Sequence, residues 1–114
     1  MPTLRRYSNR RLYDPSQSRY VNFGDVVKMV RDGEPLGVVD PDDKDITREV
    51  LLQIILEQEG GAEMLPLGLL RRIIRLTADT PLNRLVRPGI ASTLELMHEQ
   101  LDKAEAKMGM AFAS

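Results

Sequence analysis

The glycine pair Gly60-Gly61, set in the polar run Glu57-Gln58-Glu59-Gly60-Gly61-Ala62-Glu63, is the one clear linker in the sequence. Before it, turn residues cut the chain into segments of strand or short-helix length. After it, apolar residues recur at helical spacing. A chain of 114 residues has room for one small domain, or for a minimal domain with a helical annex. The linker therefore predicts an α+β fold: a first module over residues 1–60 and an all-α segment over 61–114. With two Phe and no Trp, the core must be aliphatic.

Within the first module, residues 4–14 read as an extended segment rich in Tyr and Arg. Asp14-Pro15-Ser16-Gln17-Ser18 is turn chemistry, and Arg19-Tyr20-Val21 resumes the extended pattern. The expectation is a β-hairpin with a loop of about five residues. Strand parity puts Arg10, Leu12 and Asp14 on one face and Arg11 and Tyr13 on the other, so one of Arg10 or Arg11 must pair or lie over the core. Asn22 and Asp25 have capping-box spacing, Val21 can staple onto Val26, and Gly33 with Pro35 closes the first helix. Residues 36–39 are a short apolar strand. The acidic run that follows fails as a calcium loop, because a loop begun at Asp40 has Asp45 where glycine is needed and Leu51 where glutamate is needed. Thr47 is the expected cap of a second helix, stapled by Ile46 and Leu51. Its apolar residues cover well over half the circumference, which predicts burial on most sides or sharing with another subunit.

In the second segment Leu69, Leu70, Ile73, Ile74 and Thr77 follow an amphipathic helical pattern. Arg71, Arg72 and Arg75 lie elsewhere on its surface, as a solvated face or a second phosphate contact. Asp79-Thr80-Pro81 starts a short helix that Pro88-Gly89 is expected to break. Ile90, Leu94, Met97, Leu101, Ala104 and Met108 then step 4-3-4-3-4, a heptad seam of modest length that either assembles chains or folds back on its own domain. Residues 109–114 read as a frayed end.

Charge is distributed unevenly. The first twenty residues hold five arginines, Arg5, Arg6, Arg10, Arg11 and Arg19, against the single acid Asp14, whereas the rest holds eleven basic and sixteen acidic residues. All three tyrosines share that basic stretch, and arginine forks beside aromatic faces suit phosphates and base edges. There is no cysteine, hence no disulfide framework or thiolate metal site, and the lone His98 is no metal candidate. No phosphate loop, nucleophile–base pair or paired carboxylate outside turns and solvated faces appears, so the reading is a non-enzyme without cofactor or metal. No apolar run has the length of a signal peptide or membrane span, which places the chain in the cytoplasm by expectation.

Tyr7-Ser8-Asn9-Arg10-Arg11-Leu12-Tyr13-Asp14 resembles the Y-x-N-R-R-L-Y-D opening of the bacterial polyhydroxyalkanoate (polyhydroxybutyrate) synthesis repressors, also called accumulation regulators. Arg19-Tyr20-Val21 and Asp45-Ile46-Thr47-Arg48 before Leu51-Leu52-Gln53-Ile54-Ile55-Leu56-Glu57 extend the similarity, close over residues 3–60 and looser over 64–101. The resemblance implies a repressor that binds double-stranded promoter DNA, controls granule-associated phasin genes and its own gene, and lets go when polyester accumulates. On that reading Arg5, Arg6, Arg10, Arg11 and Arg19 neutralise phosphates or fork onto guanine, Asn9 pairs with adenine, and Tyr7 and Tyr13 pack or bond to the backbone. Leu69, Leu70, Ile73, Ile74, Leu94, Met97 and Leu101 are the expected surfaces for a homodimer or homotetramer and for polymer contact. The alternative is a granule-surface or scaffold protein that adsorbs to polyester through its apolar helices.

Overall fold

The computed structural model describes residues 3–8 and 11–109, so the expectations for Asn9, Arg10 and residues 110–114 lie outside the described residues. The fold is α+β. Strands β1 (Thr3–Arg6), β2 (Leu12–Asp14) and β3 (Arg19–Val21) precede helix α1 (Phe23–Arg31), strand β4 (Gly37–Val39) and helix α2 (Thr47–Glu57). A 3₁₀ turn (Ala62–Met64), α3 (Leu67–Leu76) and α4 (Pro81–Lys107) follow. The chain divides into two compact units between Ala62 and Glu63.

In the first unit the sheet order is β3-β2-β1-β4, antiparallel except where β4 lies parallel to β1. Residues 4–14 are therefore two strands and a reversal rather than one: Tyr7 N–H donates to the Arg11 carbonyl at 3.0 Å, closing a hairpin between β1 and β2. The second hairpin loop is also one residue shorter than expected. Asp14 stays in β2 and pairs with Arg19, leaving a four-residue loop at 15–18 in which Ser18 takes a positive φ of 52°. Asp14 stays because its side chain is buried and accepts the turn's own hydrogen bonds.

One face of this sheet is covered by both helices. Leu4, Leu12, Val21 and Val38 from the strands meet Val26 and Met29 of α1 and Val50 and Ile54 of α2, with Leu36 and Ile46 sealing the ends. Within each strand, parity puts the core residues on one face, since alternate positions share a face. The α1 cap is the expected one: Asn22 Oδ1 accepts Asp25 N–H at 2.8 Å and Asp25 Oδ2 accepts Asn22 N–H at 2.9 Å. At its other end Gly33 turns left-handed (φ 79°), which lets Glu34 N–H reach back to the Met29 carbonyl at 3.0 Å.

One expectation for α2 needs correction, and of the two alternatives given for its apolar surface, burial within the single chain does not hold. Thr47 is the first helical residue, not the cap; the cap position is Ile46 and has no side-chain bond. The Thr47 hydroxyl instead accepts the Val38 N–H at 2.8 Å and bonds Asp45 Oδ1 at 2.6 Å. It is used on the strand because a β4 donor would otherwise go unpaired. The Thr47 hydroxyl and N–H hold the Asp45 carboxyl below its ordinary range. Nor is α2 buried on most sides. Only the stripe Ile46, Val50 and Ile54 is covered, and Leu52, Ile55 and Leu56 are exposed, because a single sheet offers one face to a helix.

The second unit is two helices joined by a built corner. Thr80 Oγ1 caps α4 by accepting the Asn83 N–H at 3.1 Å, and Pro81 sits in the first turn as expected. Asn83 Nδ2 donates to the carbonyls of Arg75 and Ala78, and Arg87 donates to those of Leu76 and Ala78. Pro88 does not break α4, which runs 27 residues through it. A proline there removes one hydrogen bond, at a cost of about 3 kcal/mol, whereas ending the helix would forfeit the helix-forming stretch rich in Leu, Glu, Met, Ala and Lys beyond it. No residue of α3 or α4 is buried. Ile90 and Ile73 both line a shallow apolar groove of about 410 Å³. The start of the seam thus faces α3, while Leu94, Met97 and Leu101 are exposed.

Candidate nucleic-acid interface

The face of the sheet turned away from the helices carries the tyrosines. Register places Arg5 opposite Tyr13 and Tyr13 opposite Tyr20, a single row across β1, β2 and β3. Tyr7, at the hairpin closure, completes a cluster of edge-on rings. Centroids lie 5.2 Å apart for Tyr13–Tyr20, 6.2 Å for Tyr7–Tyr13 and 6.4 Å for Tyr7–Tyr20. Such geometry matches the quadrupoles of the rings and fixes them relative to one another. Arg11, on the same face by parity, lays its guanidinium 4.1 Å from the Tyr20 centroid. The ring beneath it holds that planar group in one orientation.

The described arginines do not form one patch. Arg6 pairs with Leu12, which is in the core, so it stands on the helix side of the sheet and is half-buried. Arg19 pairs with buried Asp14; it is exposed at the β3 edge and donates to Gln17 Oε1 at 2.7 Å. Arg11 and Arg19 line a groove of about 440 Å³ along that edge, with Tyr20, Asn22 and Asp25. Arg5 reaches the other way. Its guanidinium donates to Asp43 Oδ1 at 2.5 Å and to the Asp40 carbonyl at 3.1 Å, and the Asp43 bond chiefly raises its pKa.

Strand parity alone does not single out Tyr20 as a contact; its place opposite Tyr13 does. Counting back across the 15–18 loop would have found it, but that count requires Asp14 to be in the strand, which depends on the core. Asp14 anchors this register. It is 1 % exposed, and its Oδ1 accepts both the Ser16 N–H at 2.9 Å and the Ser16 hydroxyl at 2.7 Å, while Oδ2 has no partner among the described residues. Asp14→Ala leaves the Ser16 N–H without its acceptor, and is expected to cost about 1–3 kcal/mol. Asp14→Asn keeps the acceptor and should recover much of the loss in a thermal melt. Equal melting of the two variants would show that the turn does not depend on that oxygen.

Residues 3–62 match the family model described as the PHB/PHA accumulation regulator DNA-binding domain. This chain belongs to that family. The accumulation-regulator domain thus covers all four strands and both helices of the first unit. Two relatives extend the likeness beyond it. An uncharacterized protein of Allochromatium vinosum is 41 % identical over 99 residues, spanning 85 % of this chain and 64 % of that protein. An uncharacterized protein in the phbA 5′ region of Thiocystis violacea is 38 % identical over 108 residues, spanning 93 % of this chain and 78 % of that protein. No solved structure matches the chain. Among the described residues of the accumulation-regulator domain, the cluster of Tyr7, Tyr13 and Tyr20 with the stacked Arg11 is a surface whose chemistry suits nucleic acid.

Proposed function

We propose that this accumulation regulator is a transcriptional repressor of granule-associated phasin genes and of its own gene, and that polyester displaces it from promoter DNA. The observation that carries the reading is the Arg11–Tyr20 stack within an exposed tyrosine cluster, inside the residues matched by a DNA-binding domain. Arg11 forks onto a base edge or phosphate, Tyr7, Tyr13 and Tyr20 pack against sugar and backbone, and Arg19 meets phosphate from the β3 edge. Arg6 contributes from the rim, and Arg5 contributes once released from Asp43. Asn9 and Arg10 take the adenine and the guanine or phosphate contacts that suit their side chains. The phbA 5′ region position of the Thiocystis violacea relative fits a regulator near polyester genes.

The second unit supplies assembly. Its two helices fully bury no residue in the single chain, so Leu94, Met97 and Leu101 pack against another copy to form a homodimer or homotetramer. Leu69, Leu70, Ile73 and Ile74 meet polymer or partner. The second reading, a granule-surface or scaffold protein, draws on the same exposed helices. A gel shift on the DNA upstream of the protein's own gene separates them. Repression requires a shift that weakens steeply with salt and disappears when polyester granules are added. No shift at low salt, with retention on granules that salt does not alter, would establish the scaffold reading instead.

A further inference from the structure

We propose that Asp43 is a built-in competitor for DNA phosphate: it holds Arg5 in an ion pair and thereby limits the sequence-independent affinity of the DNA module. This rests on the reading of the sheet face as the DNA surface. Arg5 is placed by register beside Tyr13, at the β1 end of the row Arg5–Tyr13–Tyr20. Left to itself, its guanidinium would be the natural phosphate contact of β1. It points instead to the acidic turn after β4, donating to Asp43 Oδ1 and to the Asp40 carbonyl.

The turn does not need the Asp43 carboxylate. Its shape comes from Asp40, whose Oδ1 accepts the N–H groups of Asp42 and Lys44 and whose carbonyl accepts the Asp43 N–H. Asp43 itself sits at φ 66°, a conformation that Asn adopts as readily as Asp. Among the described residues, Arg5 is the partner shown for its carboxylate. That carboxylate is 76 % exposed against 32 % for the arginine, and an exposed ion pair contributes little to the fold. The pair is therefore exchangeable. A phosphate offers the same kind of anionic oxygen that Asp43 offers. Any duplex entering the face must displace Asp43 to gain Arg5, and meets a like charge if it does not. Phosphate contacts carry no sequence information, so the loss falls on binding to bulk DNA.

The test uses the full chain and a mixed-sequence duplex in a salt titration followed by fluorescence anisotropy. Asp43→Asn keeps the turn and should tighten binding by about three- to tenfold at low salt. It should also steepen the salt slope by about 0.9, the increment of one phosphate contact. Arg5→Gln alone gives the baseline against which the double variant is read. The double variant decides the mechanism: with Arg5 gone, the gain from Asp43→Asn should vanish. Persistence of the gain in the double variant would make Asp43 a simple repelling charge and overturn the competition. Unchanged binding by Asp43→Asn would overturn it as well, leaving the DNA reading intact. A parent protein that binds no duplex even at low salt would sink both together.

Discussion

Arg11→Ala should weaken binding to the DNA upstream of the protein's own gene by between about five- and 150-fold, the equivalent of about 1–3 kcal/mol for a lost bidentate base contact. Arg11 is exposed and stacks on an exposed tyrosine, so the melting temperature should hardly move. Tyr20→Ala should reproduce much of the loss without removing any charge. It takes away the ring beneath the guanidinium and the edge contacts to Tyr13 and Tyr7, so the arginine is less well ordered before DNA arrives. Arg11→Lys separates the two parts of the contact. A lysine keeps the phosphate attraction and the salt slope but not the planar fork, so preference for the specific sequence over random DNA should fall while total binding persists. Gel-shift titrations on both DNAs measure this. Parent-like binding by both Arg11→Ala and Tyr20→Ala would mean that another surface reads the operator.

Leu94→Asp combined with Leu101→Asp should have the largest effect on assembly. Both leucines lie on the exposed stripe of α4, with 42 % and 61 % of their surface open in the single chain. In an oligomer these positions face a partner helix, where an unpaired carboxylate is costly. Light scattering should show a fall from the parent's multiple to the 12.9 kDa of one chain. Operator affinity should drop with it, by as much as about 10²–10⁴-fold, because two half-sites are no longer held by one particle. The helical signal in circular dichroism should fall too, since α3 and α4 have no core of their own. An unchanged mass would place the subunit contact elsewhere, and the exposed Leu52, Ile55 and Leu56 of α2 would be the next surface to alter.

Much of this architecture can be read from neighbouring residues. The Asn22–Asp25 cap, the Gly33 stop, the Pro81 start and the apolar stripes of α3 and α4 are interactions within a turn or two of helix. Their energetics depend on residues three or four apart, and the sequence lists those directly. The basic, tyrosine-rich opening is equally plain, because composition needs no partner. What failed locally did so where two local signals competed. Pro88 argues for a helix end, but the helix formers beyond it outweigh one missing hydrogen bond. Thr47 looks like a cap, but its hydroxyl is taken by a strand.

The sequence by itself determined the caps, the helical periods and the presence of an arginine–tyrosine surface. Only the tertiary structure decided how that surface is arranged. Burial of Leu4, Leu12, Val21 and Val38 against the helices fixes the register. Register then puts Tyr20 beside Tyr13, sends Arg6 and Arg19 to the other side, and leaves Arg11 over a ring. Placing β4 beside β1 brings Asp43 to Arg5 across 38 residues of chain. The physical reason is that strand order and parity follow from which face can be buried, and burial is a property of the whole core. A side chain's neighbours along the sequence do not reveal it.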